Sequence, residues 1–226
     1  MKLFPSLLTA GVLAFVSFAT LAQAASLTIT EAMSSSGVTD DWFELTNIST
    51  QAISLSGYRV DDSSFSFSVS VALNNVTTLA PGQSAVFIES AAGANVEAFR
   101  AYWGLSSTAL IGYYSGSGVG LAATGDGLVV FDSAGAEVTP RATFGTATTG
   151  ASFYFDRTSG TYAGISTVGQ AGVFTSTAVY GGAAAATNIG SPEFGGVVPE
   201  PSAWVILGLG AGALGVVTLR RRKRAA

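Results

Sequence analysis

The residues of this chain that could do chemistry by type and spacing are two pairs of neighbouring carboxylates, Asp40-Asp41 and Asp61-Asp62. Carboxylate oxygens could bind calcium, which takes about six to eight oxygen ligands, or could serve as the acid and base of a glycoside hydrolase. Aspartates at strand ends also shape turns, and this is the commoner role. We therefore interpret the pairs first as turn residues and keep all four as candidate calcium ligands.

Most other catalytic chemistry is excluded by what the chain lacks. It contains no His and no Cys, which excludes Ser–His–Asp triads, His-ligated zinc and thiolate nucleophiles. Its lysines are Lys2 and Lys223, so the body between them has no Schiff-base or phosphate-loop lysine. We expect a protein that needs no cofactor and is not an enzyme.

The N-terminus is typical of a signal peptide over residues 1–24. Lys2 precedes an uncharged apolar core, and small residues follow at Ala22 and Ala24. Signal peptidase accepts small residues at these two positions, which predicts cleavage before Ala25. An uncleaved membrane helix is the alternative.

The C-terminus has a different pattern. Residues 203–219 carry no charge, and as a helix they would span about 25 Å, close to the thickness of a bilayer's hydrocarbon core. A basic cluster follows at 220–226 and should stay on the cytoplasmic side, which places the body outside; a buried core helix is the alternative. The predicted stop residues of this anchor are Arg220, Arg221, Arg222, Lys223 and Arg224.

The body between the two ends is acidic. From residue 25 to 198 it has thirteen acids against four arginines, a net charge of −9. That charge argues against binding to nucleic acid or anionic lipid through phosphate contacts. Without disulfides, stability must come from a hydrophobic core.

Short alternating apolar and polar runs, separated by Gly, Asn, Asp and Ser, predict an all-β, antiparallel domain. One stretch has helical spacing, at 95–103, with Asn95 able to cap it and Gly104 to end it. The run at 65–71 alternates for all seven residues and predicts a strand of fixed register. The other predicted strands are 27–32, 42–46, 53–60, 84–88, 127–132, 142–145 and 152–156.

The sequence before the predicted membrane span resembles a PEP-CTERM sorting signal: Pro199, Glu200 and Pro201, then the apolar span, then the basic cluster. The resemblance implies that an exosortase of a Gram-negative bacterium recognises these three residues, within a linker at 195–202, and processes the chain nearby. It further implies transient anchoring in the inner membrane, a final location at the cell surface or outside the cell, and hosts that make exopolysaccharide, which is a candidate partner.

The body resembles a lamin tail domain. The residues that carry the resemblance are LTITEAM at 27–33, DDWFELTN at 40–47, ISLSGYRVDD at 53–62, LAPG at 79–82, DGLVVFDSAG at 126–135 and the closing segment TNIGSP at 187–192. It implies an immunoglobulin-like β-sandwich over residues 25–194, with a departure at 89–123. Within the second motif Glu44 shares a strand face with Trp42, so either that face is partly polar or the strand lies at an edge. We expect Glu31 and Glu44 to pair with Arg59 across strands.

Together these observations predict an exported, exosortase-processed protein with a non-enzymatic binding or structural domain. Signal peptidase and exosortase would be its processing enzymes. The alternatives are a module that binds calcium or carbohydrate on exopolysaccharide, with aromatic side chains stacking on sugars if they are exposed, and a carboxylate-based glycoside hydrolase.

Overall fold

The computed structural model describes residues 26–170, 172–176 and 187–194. They form fourteen strands, one α-helix, α1 (Val96–Trp103), and a 3₁₀ turn (Ala91–Gly93). The strands are β1 (Leu27–Met33), β2 (Trp42–Asn47), β3 (Ile53–Ser54), β4 (Arg59–Asp61), β5 (Val71–Ala72), β6 (Thr78–Leu79), β7 (Ser84–Glu89), β8 (Ile111–Tyr114), β9 (Asp126–Phe131), β10 (Ala142–Phe144), β11 (Phe153–Phe155), β12 (Tyr162–Ile165), β13 (Phe174–Thr175) and β14 (Ile189–Gly190).

Two sheets carry the architecture. Sheet 1 has the order β12-β11-β1-β2-β7-β8, and sheet 2 has the order β10-β9-β4-β5; β3-β6 and β13-β14 are separate two-stranded pairs. The pairing is antiparallel except between β7 and β8. Parallel strands need a long crossover, and here α1 lies between β7 and β8 in the chain.

The main core lies between the two sheets, because alternate side chains of each strand point inward. Phe43 and Phe87, paired in register on β2 and β7, stack with their rings 5.5 Å apart. Val60 and Val130 of sheet 2 belong to the same core. The predicted immunoglobulin-like β-sandwich with one short helix is confirmed.

A second apolar cluster covers the other face of sheet 1. Trp42 is buried there against Phe99 and Trp103 of α1, with ring centroids 5.9 and 5.8 Å away. The helix packs through the face predicted by its spacing, and Gly104 follows its last residue. Asn95 stands at the N-cap position but its side chain makes no cap hydrogen bond; Nδ2 instead donates to Asp40 at 2.6 Å.

The predicted strand at 65–71 is wrong except at its last residue, Val71. Turns at 63–64 and 67–69 stand in its place, and the Asp61 carboxylate accepts hydrogen bonds from Ser66 N at 2.7 Å and Ser64 Oγ at 2.5 Å. Such local bonds compete with a strand ladder. Phe65 is accommodated over Gly127, where even a Cβ would come within 2.6 Å of its ring.

The predicted pairing of Glu31 and Glu44 with Arg59 is also wrong. Both acids lie on the outer face of sheet 1, whereas Arg59 is on sheet 2 next to the core residue Val60, so the sandwich separates them. Arg59 donates to Ser70 and lies 5.7 Å from the ring centroid of Phe67. Strand β2 is central, which excludes the edge position and leaves the partly polar face.

Candidate functional site

The predicted processing sites lie outside the described residues. These are Ala22, Ala24 and Ala25, the motif 199–201, the span 203–219 and the basic cluster 220–226. Among the residues that the structure describes, no helix is long and apolar enough to cross a bilayer. The candidate sites within the described residues are the carboxylates, the aromatic side chains and a surface pocket.

The Asp61-Asp62 pair follows the turn interpretation in its contacts. Asp61 is buried and holds Ser64 and Ser66, as described above, and Asp62 Oδ1 accepts the Ser64 backbone N–H at 3.2 Å. Both carboxylates therefore serve the loop that follows β4.

The Asp40-Asp41 pair stands where β2 begins, beside the end of β7. The Asp41 carbonyl accepts the Glu89 N–H at 2.8 Å, which joins the two chain segments. Burial, then the charges of Glu89 and Asp40, raise the pKa of Asp41 to about 7. Burial and Asp40 also raise the pKa of Glu89. Burial, and then the charges of the nearby carboxylates, raise the pKa of the Tyr114 hydroxyl well above its ordinary value.

The carboxylates of Asp40, Asp41 and Glu89 are not arranged as a metal site in the part of the chain that the structure describes. Among residues 26–170, 172–176 and 187–194, no group of three or more His, Cys, Asp or Glu side chains is arranged to hold a metal ion. Asp40 is engaged by Asn95, which ties the start of α1 to β2.

Most aromatic side chains proposed for sugar stacking are in the core. Trp42, Trp103 and Tyr114 are almost completely buried, and Tyr58 and Tyr113 are half-buried against the two core clusters. The exposed large apolar residues of the described chain are different ones: Phe67, Val69, Tyr162, Val168 and Phe194.

The outer face of sheet 1 holds a buried polar network that the sequence analysis missed. Thr30 Oγ1 donates to Glu44 Oε1 at 2.6 Å and lies 2.9 Å from Thr46 Oγ1, which in turn lies 2.7 Å from Ser84 Oγ. A β-bulge between Ile29 and Glu31 places both Thr30 and Glu31 on this face. All these hydrogen-bonding side chains are buried, so each partner matters.

Glu31 is fully buried and binds the C-terminal segment 187–194, which we call the strap. Its Oε1 accepts the Ser191 N–H at 2.7 Å and the Ser152 hydroxyl, and its Oε2 accepts Ser191 Oγ at 2.8 Å. Burial raises the pKa of Glu31 to about 7, and these hydrogen bonds act in the opposite direction. Acids at strand positions 31 and 44 were visible in the sequence, but the donors to Glu31, Ser152 and Ser191, are too distant in the chain to be inferred from it.

A surface pocket of about 360 Å³ lies at the other end of sheet 1, lined by Asn47, Ile48, Ser49, Gly82, Arg157 and Thr158. The Asn47 side chain builds its wall, donating to Gln51 O at 2.7 Å and Leu79 O at 3.0 Å. Within the part of the chain that the structure describes, Arg157 donates to Gly82 O at 3.3 Å and pairs with no carboxylate. The pocket thus presents a guanidinium with donors to spare.

These features define an immunoglobulin-like sandwich in which a helix and the strap cover the outer face of sheet 1. Hydrogen bonds to buried polar side chains hold the strap there. The family model of the lamin tail domain matches residues 20–146, and that of the PEP-CTERM protein-sorting motif matches residues 197–223. The chain belongs to the lamin tail domain family and carries a C-terminal PEP-CTERM sorting motif, which indicates export in a Gram-negative bacterium. A comparison with curated proteins gave no match.

Proposed function

We propose that this chain is a non-enzymatic binding or structural protein of the cell surface or extracellular matrix, delivered there by exosortase processing. The observation that carries the proposal is the combination in one chain of a lamin tail sandwich and a PEP-CTERM motif. The contacts of Asp61 and Asp62 support a non-catalytic role, because both carboxylates are engaged in loop hydrogen bonds. The chain also has no His or Cys to act as a base or nucleophile.

The route has two cleavage steps. Signal peptidase removes residues 1–24, and exosortase reads Pro199, Glu200 and Pro201 and releases the domain from its anchor. Prolines fix φ and donate no hydrogen bond, so they favour an extended motif that an enzyme can bind.

Intact mass of the mature protein from its host tests this route. We expect a species that starts at Ala25 and lacks residues 203–226, and we expect Glu200→Ala to retain the C-terminus. Glu97→Ala is the matched control, because Glu97 is an exposed helix residue. A wild-type protein that keeps residues 203–226 throughout would refute processing.

Binding of an acidic polysaccharide is a second candidate function, favoured by the Arg157 pocket. The net charge of −9 on the body repels such a ligand at long range, so binding depends on the local guanidinium and should strengthen as added salt screens the repulsion. A guanidinium with unused donors matches the geometry of a carboxylate, and the neighbouring Thr158 and Ser49 bear hydroxyls. Calorimetry with a polyuronate should show binding that Arg157→Gln reduces by roughly tenfold or more. Arg141→Gln is the control, since Arg141 already pairs with Glu137 at 2.7 Å.

Titrations with added Ca²⁺, and the chain length of the polysaccharide after incubation with the protein, separate the remaining alternatives. Binding that appears only with added Ca²⁺ would favour a calcium-dependent module and would direct attention to Asp40 and Asp41. Shortening of the polysaccharide that Asp41→Asn abolishes would favour a hydrolase and would contradict the non-enzymatic proposal.

A further inference from the structure

Backbone hydrogen bonds hold the strap against the residues that lead into β11 of sheet 1. Ile189 N donates to Gly150 O at 2.7 Å, and Ile189 O accepts the Ser152 N–H at 3.0 Å. Its β14 residues also pair with β13 at Phe174 and Thr175. This places the last described residues of the chain on the folded domain.

Glu31 fixes the strap from beneath. Its carboxylate accepts hydrogen bonds from the Ser152 hydroxyl and from both the backbone N–H and the hydroxyl of Ser191. A Cβ placed on Gly190 would lie 2.9 Å from Glu31 Oε1 and 3.1 Å from both Ser152 Oγ and Trp103. The strap backbone therefore lies directly on the carboxylate, with no room for a side chain between them.

The docked strap limits how far the sorting motif can lie from the domain. Pro199 follows Phe194 by five residues, which reach about 17 Å when fully extended. Release of the strap would lengthen this tether by at least the eight residues 187–194, which add about 27 Å when fully extended.

We propose that Glu31 and Ser191 clamp the strap and thereby shorten the chain that links the folded domain to the PEP motif, so that the clamp limits access of the processing enzyme. The inference rests on the proposed exosortase route. The acceptor of the clamp, Glu31, lies within the region matched to the lamin tail family, whereas the donors Ser152 and Ser191 lie outside that region.

Hydrogen exchange of the full-length precursor, purified in detergent from cells that lack the processing enzyme, tests the clamp. Gly190→Ala should speed amide exchange in 187–194 by roughly tenfold or more, because the new Cβ displaces the strap. Gly145→Ala is the control, since no atom lies within 4 Å of its Cβ position. Exchange in β2 should stay unchanged in both variants.

Glu31→Ala and Glu31→Gln give an independent pair. Alanine removes the acceptor and should also speed exchange of the strap, whereas glutamine keeps an acceptor for Ser152 and Ser191 N and gains a donor for Ser191 Oγ. Should Glu31→Ala fail to fold, Gly190→Ala still tests the clamp, because its change lies on the strap itself.

Pulse-chase of the same variants in the host tests the consequence. We expect precursor half-lives at least about twofold shorter for Gly190→Ala and Glu31→Ala, and wild-type values for Gly145→Ala and Glu31→Gln, as follows from a longer tether. Unchanged exchange in the strap, or faster exchange with unchanged processing, would overturn the inference. A wild-type chain that is never processed refutes the proposed route instead, whatever the exchange shows.

Discussion

The two faces of sheet 1 are both buried, but they are built from different side chains. The inner face, toward sheet 2, is apolar along the strands β1, β2 and β7. Its residues are Leu27, Ile29, Ala32, Phe43, Leu45, Ala85 and Phe87. Apolar contacts have no direction, so this face favours any well-packed cover of the right shape.

The outer face mixes apolar residues with buried hydroxyls and carboxylates. Glu31 and Glu44 stand opposite each other on neighbouring strands and are both fully buried. Buried polar groups are costly unless specific partners meet them. The apolar inner face therefore contributes mainly stability, while the polar groups of the outer face also select which segments of the chain cover it.

Truncation on the inner face should have the largest effect on stability. Phe43→Ala removes a buried ring that stacks on Phe87 and lies 5.7 Å from Tyr114. We expect it to lower the free energy of unfolding by about 3–5 kcal/mol. Chemical denaturation of the purified domain measures this, and Phe67→Ala, at a residue 38% exposed, is the control with a clearly smaller loss. Similar losses for both variants would contradict the assignment of the core.

Breaking a polar contact on the outer face should cost less. Thr30→Val keeps the side-chain shape but removes the hydrogen bond to Glu44, and we expect a loss of about 1–3 kcal/mol. The same exchange at Thr143, on the exposed side of β10, should change stability by less than about 0.5 kcal/mol. If the two variants were equally stable, the outer network would have no energetic role.

The third expected effect is a pH dependence of the free energy of unfolding that belongs to Glu31. Burial raises the pKa of its carboxyl to about 7 from an ordinary 4.5. This contribution is therefore fully present below pH 4.5 and is lost as the pH rises toward 7, because the unfolded chain ionises first. Wild-type stability should fall over that range relative to Glu31→Gln in parallel denaturation series.

Other charged groups near the strap must be considered in that comparison. Glu44 faces Glu31 from β2, while Arg100 of α1 and Glu193 of the strap interact with each other. All of them are present in both proteins, so the difference between the two pH curves reports the carboxyl at position 31 together with its effect on these neighbours. Parallel curves would assign the dependence to these neighbours.

The sequence was sufficient for the elements whose pattern is local. The strands at 42–46, 84–88 and 127–132 and the helix at 95–103 were predicted within about one residue, since each has its own apolar period and its own end residues. The candidate sites were less accessible. Asp61 looked like a ligand or turn residue, and only its contacts with Ser64 and Ser66 distinguish the two.

The run at 65–71 shows why a local pattern can fail. Its alternation is as regular as that of a true strand, yet Phe65 and Phe67 pack over sheet 2, on Gly127 and Phe131. The side-chain period says which residues could share a face. It does not reveal that the Asp61 carboxylate accepts a hydrogen bond from the Ser66 backbone, or that Gly127 leaves space for the Phe65 ring.

By itself, the sequence determined the family, the motif at 199–201 and the exclusion of His and Cys chemistry, since all of these depend on residue identity and short spacing. Only the tertiary structure decided the partners of Glu31, Glu44 and Arg59. Those partners depend on which sheet and which face each residue occupies. The contact between Glu31 and Ser191 joins positions 160 residues apart in the chain, and a separation of that size becomes a 2.8 Å hydrogen bond only after the sandwich has formed.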